Sequence, residues 1–73
     1  MPKIFYHDKD NLRVYVKEVD YANMKIKFTK KEEDAEVFRG GYYGPPMIQF
    51  FRTNFKEAYP QVMDFKLDYG DDC

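Results

Sequence analysis

The chain lacks most of the residues on which catalytic and metal sites depend. It has 73 residues, with no serine, no tryptophan, one histidine and one cysteine. A Ser-His-Asp triad is therefore impossible, and His7 with Cys73 cannot supply the ligands of a typical zinc site. The four glycines form neither a Gly-x-Gly-x-x-Gly fingerprint nor a Walker motif. We predict a protein that is not an enzyme and that holds no cofactor and no metal ion.

The sequence also lacks the features of secreted and membrane proteins. A single cysteine cannot form an intramolecular disulfide, so the fold does not depend on an oxidising compartment. The apolar runs are only a few residues long, far short of the roughly 20 residues that span a bilayer, and no signal peptide is recognisable. We expect a cytoplasmic protein with no membrane partner.

Aromatic residues and charges are abundant. Seven Phe, seven Tyr and a hydrophobic content of 44% are typical of a folded chain, and the length predicts a single domain over residues 1–73. The net charge of -1 hides an asymmetry, because residues 1–31 carry eight basic and four acidic side chains, whereas residues 32–73 carry four basic and nine acidic ones. We interpret this asymmetry as two halves that pair with each other.

Three segments in the first half alternate between apolar and polar residues. Residues 3–7, 12–19 and 24–28 are predicted to be strands joined by short polar turns. The residues predicted to point inward are Leu12, Val14 and Val16 in the second strand and Met24, Ile26 and Phe28 in the third. Three such strands predict an antiparallel meander.

The pattern changes at Thr29. Thr29 and Glu32 have the spacing of a capping box, which predicts a helix over residues 30–39 with Ala35 and Phe38 as its core contacts. The pair Gly40-Gly41 would end this helix, because glycine adopts the left-handed cap conformation without strain.

A second helix is predicted between Pro45-Pro46 and Pro60. Met47, Phe51, Phe55 and Ala58 recur at helical spacing, although a strand over residues 47–55 is the alternative. Residues 62–69 alternate again, and the residues predicted to point inward there are Met63, Phe65, Leu67 and Tyr69. The predicted order is β-β-β-α-α-β. It gives an α+β fold in which two short helices pack on one face of an antiparallel sheet of about four strands.

Two surfaces are candidates for protein binding. The loop before the second helix carries Tyr42 and Tyr43, and Phe50 is adjacent to Phe51 and so cannot share its direction on a helix. The second surface is acidic, and we expect it to imitate phosphate charge toward a basic protein. Its members are Glu32, Glu33, Asp34 and Glu36.

Nucleic-acid binding is the alternative function. Basic and aromatic residues share the predicted outward face of the second and third strands, an arrangement that suits base stacking and phosphate contacts. These residues are Arg13, Tyr15, Lys17, Lys25 and Lys27. Asp64 and Asp68 fall on the same face of the last strand by parity, where they would neutralise this basic patch.

The stretch of residues 27–38, Lys-Phe-Thr-Lys-Lys-Glu-Glu-Asp-Ala-Glu-Val-Phe, resembles a phrase found in small phage and prophage proteins. The resemblance implies an accessory protein that acts in the cytoplasm of a bacterial host and inhibits a larger host protein, as anti-CRISPR proteins do. It transfers no functional residue, because the shared letters are structural. We therefore expect a non-enzymatic protein-binding module, with a structural homo-oligomer such as a homodimer as a further alternative.

Overall fold

The computed structural model describes residues 2–38 and 45–69, and an antiparallel sheet organises them. Its strands are β1 (Lys3–His7), β2 (Arg13–Asp20), β3 (Lys25–Thr29) and β4 (Lys66–Asp68). Their order in the sheet is β3-β2-β1-β4, and each neighbouring pair is antiparallel. The three predicted strands of the first half are confirmed to within one residue, and the last strand is confirmed in part.

The turn between β1 and β2 is built by an aspartate side chain. Asp8 Oδ1 accepts hydrogen bonds from the backbone N–H groups of Asp10 and Leu12, both at 2.9 Å. Asn11 occupies the left-handed region with φ 63°, a conformation that asparagine tolerates. These two residues explain why a run of polar residues reverses the chain within a few positions.

The turn between β2 and β3 uses the same chemistry with one strained position. Asp20 accepts hydrogen bonds from the backbone N–H of Asn23 at 3.2 Å and from its side-chain amide at 2.7 Å. Met24 follows with φ 53°, a left-handed conformation that places its Cβ close to the backbone. Met24 is therefore part of the turn and is exposed, so the prediction that it points inward is wrong.

A bulge in β2 changes which side chains face the core. Val16 pairs with Phe28, but the next register pair is Glu18 with Lys27, so Lys17 is the extra residue. Val16 and Val19 can therefore both pack on the core although they are three positions apart, a spacing that would place them on opposite faces of a regular strand. The bulge also leaves Glu18 opposite Lys27 on the other face.

The core lies on one face of the sheet and is largely aromatic. Ile4, Val16 and Ile26 contribute from the strands, and side chains from the second half of the chain cover them. The rings of Phe51, Phe55 and Phe65 are fully buried. Their remaining core partners are Phe38, Ile48 and Val62.

The predicted helix over residues 30–39 does not form. Thr29 Oγ1 accepts the N–H of Lys31 at 3.0 Å, and only a 3-10 turn, Glu32–Asp34, follows. Ala35 is extended, and the chain then forms an extended crossing segment, residues 35–38. In this segment Glu36 N–H donates to Val16 O at 2.9 Å and Phe38 N–H donates to Pro2 O at 2.8 Å. These two bonds hold the backbone against the sheet and replace the bonds that a helix would have made.

The second predicted helix is confirmed as α1 (Pro45–Asn54), and the alternative of a strand over residues 47–55 is wrong. The helix ends at Asn54 rather than near Pro60. Beyond it the chain turns so that Tyr59 Oη accepts the N–H of Ile26 at 3.1 Å on the edge strand β3. A 3-10 helix, Pro60–Asp64, then leads into β4.

The shape of this second half corrects several sequence predictions. Residues 60–64 are helical rather than extended, so Met63 is exposed, as is Tyr69 beyond the end of β4. Leu12 is also exposed, because it lies in the turn before β2. The α+β class and the four-stranded sheet are confirmed. In the described residues, however, one α-helix and two 3-10 segments replace the two predicted helices.

Candidate protein-binding surface

A hydrogen-bonded cluster occupies the sheet face opposite the core. Tyr15 is 4% exposed, and its hydroxyl lies 3.3 Å from Arg13 Nη1, 3.2 Å from Glu32 Oε1 and 3.2 Å from Asp68 Oδ2. Arg13 Nη1 also forms an ion pair with Asp68 Oδ2 at 2.9 Å. The guanidinium lies over the ring of Phe5, 4.2 Å from its centroid, which is within cation–π range.

The cluster joins three parts of the chain that are distant in sequence. Arg13 and Tyr15 come from β2, Asp68 comes from β4, and Glu32 comes from the 3-10 turn. Lys3 Nζ donates to the backbone carbonyl of Glu32 at 2.8 Å and fixes the turn to β1. These contacts therefore hold the 3-10 turn against the outward face of the sheet.

The cluster shifts the pKa values of two of its residues, Tyr15 and Arg13. Burial raises the pKa of the Tyr15 phenol, and the bonds to Glu32 and Asp68 act in the same direction. The pKa of Arg13 is raised first by its hydrogen bond to Tyr15 and then by the nearby negative charges. Both shifts favour the protonated form that each residue already has near neutral pH.

The basic face predicted for nucleic-acid binding is partly occupied by this cluster, which contains two of its five residues, Arg13 and Tyr15. Tyr15 offers little ring surface for stacking on a base, and Arg13 is already paired with Asp68. Lys27 Nζ lies 3.4 Å from Glu18 Oε2. Lys17 and Lys25 are exposed. Of the two predicted neutralising carboxylates, Asp68 pairs with Arg13, whereas Asp64 lies in the 3-10 helix away from the strand.

The four acidic residues of the predicted binding surface do not form one helix face. Glu32 has a carboxylate oxygen bonded to Tyr15. Glu33 and Asp34 are exposed in the 3-10 turn, and Glu36 is exposed on the crossing segment. Glu36 instead lies near Glu18 of β2, since both line the hollow described next.

A hollow of about 250 Å³ lies where the crossing segment meets the end of β2. Its lining includes Glu18, Val19, Tyr21, Glu36 and Phe38. Phe38 is buried and gives the hollow an apolar wall, while the two glutamates are exposed at its margin. Sequence reasoning missed this site, because no spacing rule brings residues 18–21 together with residues 36–38.

An aromatic pair adjoins the hollow. Phe50 of α1 is 36% exposed and Tyr21 is 49% exposed, and their ring centroids are 5.9 Å apart. Phe50 also packs against Phe51 and Phe55, which hold it to the core at one side. The prediction that Phe50 and Phe51 point in different directions is confirmed. Tyr21 was not singled out from the sequence. The feature that could have identified it is the position of an aromatic residue in a polar turn.

Together these residues form what we call the aromatic-acidic surface: Glu18, Tyr21, Glu36, Phe38 and Phe50. Tyr42 and Tyr43, which were predicted to contribute to binding, lie outside the described residues. Within the described ranges, no group of three or more His, Cys, Asp or Glu side chains could hold a metal ion. A search of the same ranges found no helix with the length and apolar character needed to cross a membrane.

Comparisons of the chain with protein-family models, with curated proteins and with solved structures found no match.

Proposed function

We propose that the protein is a non-enzymatic binding module that contacts a partner protein through the aromatic-acidic surface. The phage or prophage resemblance would make that partner a larger protein of a bacterial host, met in its cytoplasm and inhibited by occlusion. Tyr42 and Tyr43 belong to this proposal on the sequence argument alone, since they lie between Phe38 and α1 in the chain.

The observation that carries the proposal is the exposed ring pair of Tyr21 and Phe50 beside a hollow with two carboxylates. Aromatic side chains that are partly exposed and anchored to the core are typical of interface hot spots, because they bury large areas at little cost in side-chain entropy. Phe50 is anchored in this way by its contacts with Phe51 and Phe55.

Nucleic-acid binding receives less support from the same geometry. The ring of Tyr15 is buried, and Arg13 and Lys27 each have an acidic partner. Stacking and phosphate contacts would require these groups to leave their present partners. A titration with single-stranded oligonucleotides at low salt tests this alternative, because phosphate contacts are strongest there.

The test is affinity capture from bacterial lysate with the wild-type protein and two matched variants, followed by mass spectrometry. Phe50→Ser removes the exposed ring, whereas Met63→Ser alters a side chain that is 51% exposed on the 3-10 helix, outside the proposed surface. A hot-spot loss of about 2 kcal/mol lowers affinity roughly 30-fold. We expect a partner that the wild type and Met63→Ser retain and that Phe50→Ser loses.

Equal recovery of every captured protein by all three variants would overturn the proposed surface. Circular dichroism of each variant controls for unfolding. Size-exclusion chromatography with light scattering separates the remaining alternative, because a homodimer that Phe50→Ser converts to a monomer would identify a second copy of the chain as the occupant.

A further inference from the structure

We propose that the hollow of the aromatic-acidic surface receives a cationic side chain of the partner protein, arginine in preference to lysine. This inference rests on the proposed function and adds the chemistry of the contact. It also predicts which residues of the described chain distinguish a basic partner segment from a neutral one.

The charge of the hollow selects a cation. Glu18 and Glu36 come from two different segments and both line it. Glu36 has no ion-pair partner among the described residues, and Glu18 is paired only with Lys27. That pair is at 3.4 Å between two exposed side chains, where an ion pair contributes little and is easily exchanged for another.

The apolar wall favours a cation with a flat and weakly hydrated head. Tyr21 provides a half-exposed aromatic ring beside the two carboxylates, and the buried Phe38 closes the apolar side of the hollow. A guanidinium can stack on an aromatic ring while it donates hydrogen bonds to a carboxylate, whereas the ammonium of lysine is a compact and strongly hydrated charge. Elsewhere in the same molecule Arg13 combines these contacts, with Phe5 beneath it and Asp68 beside it.

The size of the hollow fits a single side chain. Its volume of about 250 Å³ lies below the roughly 300–1,000 Å³ of pockets that hold drug-sized molecules. The neighbouring pair of Tyr21 and Phe50 extends the surface sideways, so that a polypeptide can lie on the rings while one of its side chains enters the hollow.

The experiment follows backbone amide NMR shifts of the full chain during titration with three capped tripeptides: Ala-Arg-Ala, Ala-Lys-Ala and Ala-citrulline-Ala. Citrulline has the shape of arginine without its charge. We expect the arginine peptide to shift the amides of the hollow, namely those of Glu18, Val19, Tyr21, Glu36 and Phe38. We expect the citrulline peptide to bind at least about fivefold more weakly, because it loses the ion-pair contribution.

Matched variants assign the effect to the hollow. Glu36→Gln removes a carboxylate that lines it, and Glu57→Gln removes another exposed carboxylate, which does not line it. We expect Glu36→Gln to lower the affinity for the arginine peptide about threefold or more and Glu57→Gln to leave it nearly unchanged. Absence of shifts at the hollow, equal binding of arginine and citrulline, or equal effects of the two variants would each overturn the inference. Tighter binding of the lysine peptide would overturn the preference for arginine.

Failure of this inference and failure of the proposed function give different results. If Phe50→Ser loses a captured partner but the arginine peptide causes no shifts, the proposed binding surface stands and only the inferred cationic side chain is refuted. If the arginine peptide binds with charge selectivity but no variant changes the captured proteins, the hollow stands as a cation site and the proposed binding surface is refuted.

Discussion

The hydroxyl of Tyr15 offers the sharpest test of how the outward face of the sheet is held together. Tyr15→Phe deletes one oxygen and keeps a ring of nearly the same size in a site that is 4% exposed. The deletion removes the contacts with Arg13, Glu32 and Asp68 at 3.2–3.3 Å and leaves the packing against Phe5 unchanged.

The magnitude follows from the number of bonds that one hydroxyl can make. A phenol donates a single proton, so it cannot donate fully to both Glu32 and Asp68, and it accepts the bond from Arg13. Hydrogen bonds contribute about 0.5–1.5 kcal/mol each, and those to charged groups contribute more. All three partners can also reach solvent or one another, as the 2.9 Å ion pair of Arg13 and Asp68 illustrates. We therefore expect the free energy of unfolding to fall by about 1–2 kcal/mol.

Urea unfolding followed by circular dichroism measures this change. Thermal unfolding should shift downward by roughly 4–8 °C per kcal/mol for a chain of this size. Tyr69→Phe is the matched control, because Tyr69 is exposed beyond the end of β4, and it should change stability by less than about 0.5 kcal/mol. A loss in Tyr15→Phe no larger than that of the control would refute the claim that the cluster stabilises the fold.

The pH dependence of the same variant gives a second readout. Burial raises the pKa of folded Tyr15 above its ordinary value of 10.0. The unfolded state therefore releases this proton first, so the contribution of Tyr15 is complete below pH 10 and is lost as pH rises through the folded pKa. The stability of the wild type should fall more steeply above pH 10 than that of Tyr15→Phe. Parallel curves would contradict the assignment.

Three further changes test the core and the two turns. Phe51→Ala removes a fully buried ring and should lower the free energy of unfolding by about 3–5 kcal/mol, as measured by urea titration. Met63→Ala changes an exposed side chain and should lower it by less than about 0.5 kcal/mol. Asp8→Ala should destabilise the protein at neutral pH, because the backbone hydrogen bond from Leu12 is the main cause that lowers the pKa of Asp8 below 3.8. The difference in stability from the wild type should therefore shrink as the pH falls below that value. A difference that persisted in acid-unfolding curves would exclude the Asp8 carboxylate as its cause. Met24→Gly should stabilise the protein by about 0.5–1 kcal/mol, because glycine adopts the left-handed backbone conformation at φ 53° without strain. A thermal midpoint lower than that of the wild type would show that the strain at Met24 is smaller than the entropy cost of glycine.

The helix predicted over residues 30–39 shows where local sequence signals fail. Thr29 and Glu32 have the spacing of a capping box, but Glu32 bonds to Tyr15 instead of to the backbone of Thr29. The amides of Glu36 and Phe38 find partners in Val16 and Pro2, which lie about 20 or more residues earlier in the chain. A spacing rule compares neighbours in sequence, so it cannot weigh these distant acceptors against a helix.

The proposed binding surface was predictable only in part for the same reason. Phe50 was predicted to diverge from Phe51, because adjacent residues on a helix point about 100° apart. Its partner Tyr21 and the hollow beside it depend on how α1, the crossing segment and the end of β2 pack together. Strand parity predicted a basic face that includes Tyr15, yet parity could not reveal the bulge at Lys17 or the approach of Glu32 from the 3-10 turn.

The sequence by itself determined that a Ser-His-Asp triad cannot form and where the strands of the first half lie. The chain contains no serine, and alternation of period two specifies strands whose pairing is local. Tertiary structure decided everything that depends on contacts between the halves, including the extended crossing segment, the early end of α1 at Asn54, the burial of Tyr15 and the hollow between Glu18 and Glu36. In each case the free energy comes from long-range hydrogen bonds and packing that outweigh local propensity, because short helices and turns are only marginally stable without such contacts.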